Sequence, residues 1–208
     1  DSVQEWCRIA AKARRSGRKV HVGRVFGICV EKGSELPKGN KGRKYKGRYV
    51  YQGNDVRDEH GNYAMFQELS SNPATMEAVK SVNAYASLPG NRGEQGDADQ
   101  AYVQTLFDHT FAETWVRLPR EYWRKEWTEL GLRDPVIRLR KALYGHPDAG
   151  GLWERHCEAH LKKVGFTPID NWLSTFWHQE LKLLLVVYVD DFAMAGPAGN
   201  LERGWELI

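Results

Sequence analysis

Tyr188-Val189-Asp190-Asp191 sets two adjacent carboxylates into an otherwise apolar stretch, after Leu183-Leu184-Leu185-Val186-Val187 and before Phe192-Ala193-Met194-Ala195. β-Branched, aliphatic and aromatic residues over strand-length runs, closed by Gly196 and Pro197, predict strand, tight turn, strand, with both aspartates at the tip. Like charges so close repel, and neither carboxylate is cheap to dehydrate. A divalent cation offsets both costs, which makes the pair a candidate metal platform; Asp is also an ordinary turn residue.

A second acidic segment, Gln95-Gly96-Asp97-Ala98-Asp99-Gln100-Ala101-Tyr102-Val103, must be read with the first. Nucleotidyl transfer by two metals needs ions about 3.5 to 4 Å apart, commonly bridged by carboxylates from different strands. Asp97 and Asp190 are 93 residues apart, so only the fold can join them. Asp97 and Asp99 would share one face of a strand, and spacing alone does not choose between them.

These residues need elements to position them. Ser2 with Glu5 reads as a capping box for a helix carrying Trp6, Ile9, Ala10 and Ala13. Val20 to Val30 and Arg43 to Gln52 read as the strands of a long hairpin around a Gly-, Lys- and Pro-rich loop. Lys44, Lys46 and Arg48 fall at a period of two and share a strand face, suited to a triphosphate or a template. Asn72 and Pro73 predict a helix start, and Arg120 to Leu130 reads as a helix with Tyr122, Trp123, Trp127 and Leu130 inward, stopped by Gly131. Strands are expected around Asp97, at Thr114 to Leu118 and at Val136 to Leu139, and a turn at Leu143 to Pro147. Asp148 can cap a helix whose buried stripe is Trp153, Cys157, Leu161 and Val164. Leu173 to Gln179 and Leu181 to Val189 supply the last strands. Strands and helices mix without regular alternation, which predicts an α+β fold.

The 208 residues, with 8 Trp and 41% hydrophobic residues, can bury a core in one domain or two packed lobes. No apolar run reaches the ~18 to 20 residues of a membrane span, and Arg24 interrupts any signal-peptide core, so a non-secreted chain with no membrane partner is expected. Three scattered cysteines, Cys7, Cys29 and Cys157, fit reduced, buried thiols in an intracellular compartment. A first residue of Asp1, with no initiator Met, predicts a piece of something longer. The net charge of +3 conceals an asymmetry: residues 1–48 carry 14 Lys+Arg against 4 Asp+Glu, and the remainder is net acidic. A basic lobe beside an acidic one suits a protein that grips phosphates with one part and cations with the other, although a basic surface can also be merely solvated.

Two further patterns carry no function. His156-Cys157-Glu158-Ala159-His160 lacks the Glu that follows the first His in zincins, and no Pro-Cys-x-x-Cys completes a deaminase signature. Gly145 to Gly151 has a P-loop's glycine spacing without its Lys-Ser or Lys-Thr.

Taken together, the motifs resemble the reverse transcriptase of copia-type LTR retrotransposons over most of the chain. Tyr188-Val189-Asp190-Asp191 is similar to that family's catalytic hairpin, and Asp97 with Tyr102 five residues on is similar to its first catalytic motif. Arg140-Lys141-Ala142-Leu143-Tyr144-Gly145, with Ala149 and Trp153, resembles the most family-specific stretch, and Lys46-Gly47-Arg48-Tyr49-Val50 the fingers strand. One segment departs: where the family continues Leu-Lys-Gln-Ala-Pro-Arg, this chain has His146-Pro147-Asp148-Ala149-Gly150-Gly151, losing two cations and gaining an anion.

The resemblance implies right-hand polymerase fingers (about 1–94 and 114–150) and a partial palm (95–113 and 151–208), with no thumb or RNase H. It implies Asp97, Asp190 and Asp191 as catalytic ligands of two Mg²⁺ ions, with Mn²⁺ as a substitute. Tyr102 would exclude the ribose 2′-hydroxyl, Lys46 and Arg48 would neutralise the triphosphate, and Gly145 would approach the nascent base pair. Lys44 and Tyr188 would touch nucleic acid. Expected partners are a primed RNA or DNA template, deoxynucleoside triphosphates and the rest of a Pol polyprotein, in the cytoplasm (a virus-like particle) or nucleus. The rival expectation is an inactive retrotransposon remnant that binds nucleic acid through its basic region, and a two-metal hydrolase is weaker for want of His and further Glu ligands.

Overall fold

The computed structural model describes residues 3–66, 74–107 and 111–208. Its fold is α+β, with two five-stranded sheets and six α-helices among the described residues. The chain divides into two compact units, Asp1–Gln67 with Leu106–Ala149 and Glu68–Thr105 with Gly150–Ile208. No described helix is long and apolar enough to cross a membrane.

In the first unit, β1 (Gln4–Glu5), β6 (Pro135–Arg138), β5 (Glu113–Arg117), β2 (Val20–Lys32) and β3 (Lys44–Tyr51) lie side by side; β5 and β2 are parallel and the other pairs antiparallel. Ile9 and Ala13 of α1 (Trp6–Ser16) pack on Val20, Val22, Trp115 and Val136. The opposite cluster holds Val25, Tyr51, Val56 and Val116. Beyond Val25 the β2–β3 ribbon stands in solvent, with Phe26, Ile28, Val30, Tyr45 and Tyr49 exposed.

Two sequence expectations change here. Ser2 lies outside the described residues, and Glu5, at the N-cap of α1, makes no side-chain cap. Its carboxylate instead accepts the backbone N–H groups of Arg133 (3.0 Å) and Asp134 (2.9 Å), two converging donors against the single one a capping box offers. The helix expected over Arg120 to Leu130 is broken into a 3-10 turn (Arg120–Tyr122) and α4 (Lys125–Glu129). Trp123 and Arg124 are extended between them, and the Trp123 indole donates to the Leu118 carbonyl at 3.1 Å. Trp127 is buried, whereas Tyr122 and Leu130 are exposed. Gly131, at φ 69°, does end the segment.

The turn at Gly145 has a clear steric cause. Its φ of 85° is costly for any other residue, and an added Cβ would overlap the carbonyl oxygen of Tyr51, whose N–H donates to the Tyr144 carbonyl at 2.7 Å. Gly145→Ala is expected to lower stability by about 3 kcal/mol, read by urea denaturation. An unchanged midpoint would show that the turn yields.

In the second unit, β4 (Asn91–Asp97), β10 (Asp191–Pro197), β9 (Leu183–Tyr188), β8 (Thr175–His178) and β7 (Phe166–Pro168) form a wholly antiparallel sheet. Alternation along β9 explains its unbroken apolar run. Leu183, Leu185 and Val187 share a core with Trp153, Cys157 and Leu161 of α5 (Ala149–Lys163), while Leu184 and Val186 meet Ala78 and Val82 of α2 (Met76–Ala86). Both faces are covered from Leu183 to Val187, and the last residue of the strand, Tyr188, is exposed. Each fully buried leucine contributes about 2 kcal/mol. Asn72 and Pro73 lie outside the described residues; α2 starts at Met76, and the Thr75 hydroxyl accepts from Ala78 N–H at 3.3 Å. Of the three cysteines only Cys157 is buried; Cys7 and Cys29, on α1 and β2, are exposed.

Candidate active site

The acidic hairpin turns more tightly than its sequence suggests. The tip consists of Val189 and Asp190 alone, and Asp191 is already the first residue of β10, opposite Tyr188. Val189 has φ 58°, a left-handed conformation that is a true outlier for a β-branched side chain. Two hydrogen bonds fasten this turn within its unit: the Trp153 indole Nε1 donates to the Val189 carbonyl (2.6 Å), and the Ala98 N–H donates to the Asp190 carbonyl (2.7 Å).

On its other edge β10 pairs with β4, and the register sets Asp191 opposite Asp97. β4 ends at Asp97, which removes the ambiguity between the two upstream carboxylates. Asp99 is in the following turn, where its carbonyl accepts from the Gln104 side chain at 2.6 Å and Gln100 takes φ 51°. Strand pairing therefore aligns Asp97, not Asp99, with the hairpin.

The Asp191 carboxyl is held above the ordinary range, first by desolvation, then by the charges of Asp190 and Asp97 and by a hydrogen bond it donates to Asp97 when protonated. Both residues are exposed, and a cation between their carboxylates would relieve the repulsion. Hard oxygen donors on neighbouring strands suit Mg²⁺ or Mn²⁺. Asp97 and Asp191 thus converge in space, and Asp190 contributes its charge from the turn. Among the described residues no group of three or more His, Cys, Asp or Glu side chains is gathered closely enough to hold a metal ion by itself.

The remaining predicted site residues are distributed as follows. Tyr102 is half-buried on α3 (Ala101–Gln104), packed against the core beneath the hairpin. With Trp153, Cys157, Phe176, Val187 and Val189 it lines a small cavity of about 30 Å³. Tyr188, at the end of β9, is exposed. Lys44, Lys46 and Arg48 belong to the first unit, exposed on the β2–β3 ribbon; their cross-strand partners are Lys32, Val30 and Ile28. Arg48 stands 5.5 Å from the ring centre of Tyr144. Gly145 serves, in this structure, the close approach to the Tyr51 backbone.

The divergent segment after Gly145 proves to be largely interior. His146 is 4% exposed, among the rings of Tyr51, Phe66 and Phe107, so it fills space where the family pattern has Leu. Burial, and to a smaller degree the charge of His21, pushes its pKa down to about 3. Its Nδ1 accepts the Asp148 N–H at 3.1 Å.

The His156 to His160 segment is an ordinary helix face. Cys157 points into the core and burial pushes its thiol up to about 12, Glu158 pairs with Lys162 at 2.6 Å, and His160 Nε2 lies 3.1 Å from the Leu207 carbonyl. The sequence placed Trp153 in a buried helix stripe and in a motif, without a functional role, and Val189 entered only as part of the Tyr188-Val189-Asp190-Asp191 motif. The available signal was a β-branched residue at a position that must turn.

An antiparallel sheet sets Asp97 and Asp191 opposite each other in register, beside the turn at Val189 and Asp190. The chain belongs to the reverse transcriptase (RNA-dependent DNA polymerase) family, whose model matches residues 34–203. It is similar to the truncated transposon Ty1-A Gag-Pol polyprotein of Saccharomyces cerevisiae (strain ATCC 204508 / S288c), 28% identical over 106 residues, 50% of this chain and 9% of that protein. The transposon Ty1-DR5 Gag-Pol polyprotein of the same yeast is 28% identical over 106 residues, 50% of this chain and 6% of its own length. Transposon Ty1-MR1 Gag-Pol polyprotein, also from this yeast, is 28% identical over 97 residues, 46% of this chain and 5% of its length. The chain therefore spans less than a tenth of these relatives. The resemblance to copia-type retrotransposon reverse transcriptases is borne out by these matches.

Proposed function

We propose that the chain carries the polymerase centre of a retrotransposon Pol polyprotein and adds deoxynucleotides to a primer 3′-hydroxyl, templated by RNA or DNA. In this reading residues of about 1–94 and 114–150 serve as fingers and 95–113 and 151–208 as a partial palm, bounds that differ from the two compact units chiefly over 68–94 and 106–113. The observation that carries it is the register of Asp191 with Asp97 beside the Asp190 turn, in a chain whose family is shown.

Asp97, Asp190 and Asp191 would hold two divalent cations, which when bound lower the pKa of the attacking hydroxyl and neutralise charge on the phosphates. The carboxylates align the primer end, Lys46 and Arg48 bind the triphosphate through charge-assisted hydrogen bonds, and Tyr102 crowds the ribose 2′-position. Primer extension on a homopolymeric RNA template with Mg²⁺ tests the reading, comparing this chain with one extended along its Pol polyprotein. Extension by neither protein would sink it. Tyr102→Val is expected to raise ribonucleotide incorporation about 10-fold relative to deoxynucleotide, since removing a steric block is worth about 1.4 kcal/mol.

A second reading, a non-catalytic nucleic-acid binder using the basic ribbon, is favoured by the absence of cations in His146 to Gly151. Salt-dependent template binding without extension would distinguish it.

A further inference from the structure

We propose that Trp153 is a positioning residue that holds the acidic turn in its cation-binding shape. The inference rests on the carboxylate reading given above and deepens it.

Val189 is held at φ 58°, a conformation strained for a β-branched residue. Such a conformation persists only if its surroundings over-determine it. The two turn residues each receive one external hydrogen bond at their carbonyls, from the Trp153 indole and from the Ala98 N–H. The second bond comes from the residue after Asp97, so it ties the turn to the strand that carries the upstream carboxylate. The first comes from α5, whose Trp153 is 5% exposed and embedded in the core with Val187, Phe176 and Phe192. Rotating the Val189 peptide out of its left-handed state would break the indole bond and swing Asp190 away from Asp191. One buried side chain thereby sets the direction of a carboxylate it does not touch, as partners of metal ligands do.

This assigns a task to a residue that the family-specific stretch contains. It also explains why the position asks for Trp and not another large apolar side chain, because Phe fills much of the volume and donates nothing.

The test uses the full chain and Mn²⁺ as the probe, with affinity measured by electron paramagnetic resonance and hydrogen exchange followed at residues 98 and 189–191. Trp153→Phe is expected to weaken Mn²⁺ about 10-fold and to speed exchange at the turn, while exchange in β8 and α2 stays as it was. Adding Val189→Gly should return affinity to within about 3-fold of the parent, since glycine takes positive φ without a clamp. That rescue would not follow if Trp153 only filled space. Asp191→Asn serves as the control. Mn²⁺ binding that survives Trp153→Phe but is lost in Asp191→Asn overturns the positioning role alone. Binding that neither change disturbs overturns the carboxylate site itself, and with it the basis for the role. If Trp153→Phe proves unstable, Trp153→His, which can restore a ring N–H, must bind Mn²⁺ more tightly than Trp153→Leu; equal affinities overturn the proposal.

Discussion

Asp191→Asn is expected to reduce primer extension about 1000-fold while leaving the fold intact, because under the proposed function it removes a cation ligand and with it several kcal/mol of charge stabilisation in the transition state. The structure adds a second, opposite signature. Asp191 has its carboxyl raised by burial and by Asp190 and Asp97, so its ionised form is disfavoured in the folded chain relative to the unfolded one. A group with a raised carboxylate pKa costs stability above that pKa, and the cost disappears on protonation. Without divalent cations, Asp191→Asn should therefore melt slightly above the parent at pH 8, and the gap should close as pH falls toward 4. With Mg²⁺ the order should reverse, since only the parent gains from binding. Calorimetry with EDTA and with Mg²⁺, beside the extension assay, reads all three. A variant that loses activity and also melts lower in EDTA would make Asp191 a structural residue.

Acidification is expected to unfold the first unit through His146. Its pKa is about 3 in the fold against an ordinary value near 6.5, so between these limits the unfolded chain binds the proton and the folded chain does not. Stability is then complete above pH 6.5 and declines as pH falls toward 3, by about 5 kcal/mol in total. His21, whose pKa is also lowered chiefly by burial, adds in the same direction. His146→Leu restores the residue of the family pattern and should flatten the slope of unfolding free energy between pH 6.5 and 4. It should also cost about 1 kcal/mol at pH 8, because the Asp148 N–H loses its acceptor. Urea titrations at a series of pH values measure both. A parallel slope in the variant would refute the assignment.

The same residue changes how the divergent segment is understood. Read as sequence, His146 to Gly151 trades cations for an anion beside the nucleotide site. In the fold His146 is a neutral core side chain, and Asp148 is 7% exposed with its backbone N–H on the imidazole. A His at this place is a core side chain, and the segment His146 to Gly151 holds no Lys or Arg.

Local chemistry made several features legible. Alternation and turn residues marked the hairpin of Leu183 to Gly196, and the stripe Trp153, Cys157 and Leu161 is buried as its helical spacing requires. The Arg120 to Leu130 helix was misread because Trp123 finds a carbonyl partner outside the helix, which no periodicity records. Glu5 was misread for the same reason, since its two backbone donors lie 128 and 129 residues away.

The residue types were legible from the chain alone: two aspartates at a turn, one or two more at the end of a polar strand, and cations at a period of two. These depend on short-range rules of side-chain alternation and turn chemistry. The packed fold sets Asp97 and not Asp99 toward the hairpin, because β4 stops there and the choice is a matter of register between strands far apart in the chain. Only it decided that Val189 turns against its own preference, since the hydrogen bonds that hold it come from Trp153 and Ala98, and such bonds exist only after the core around Leu183 to Val187 has closed.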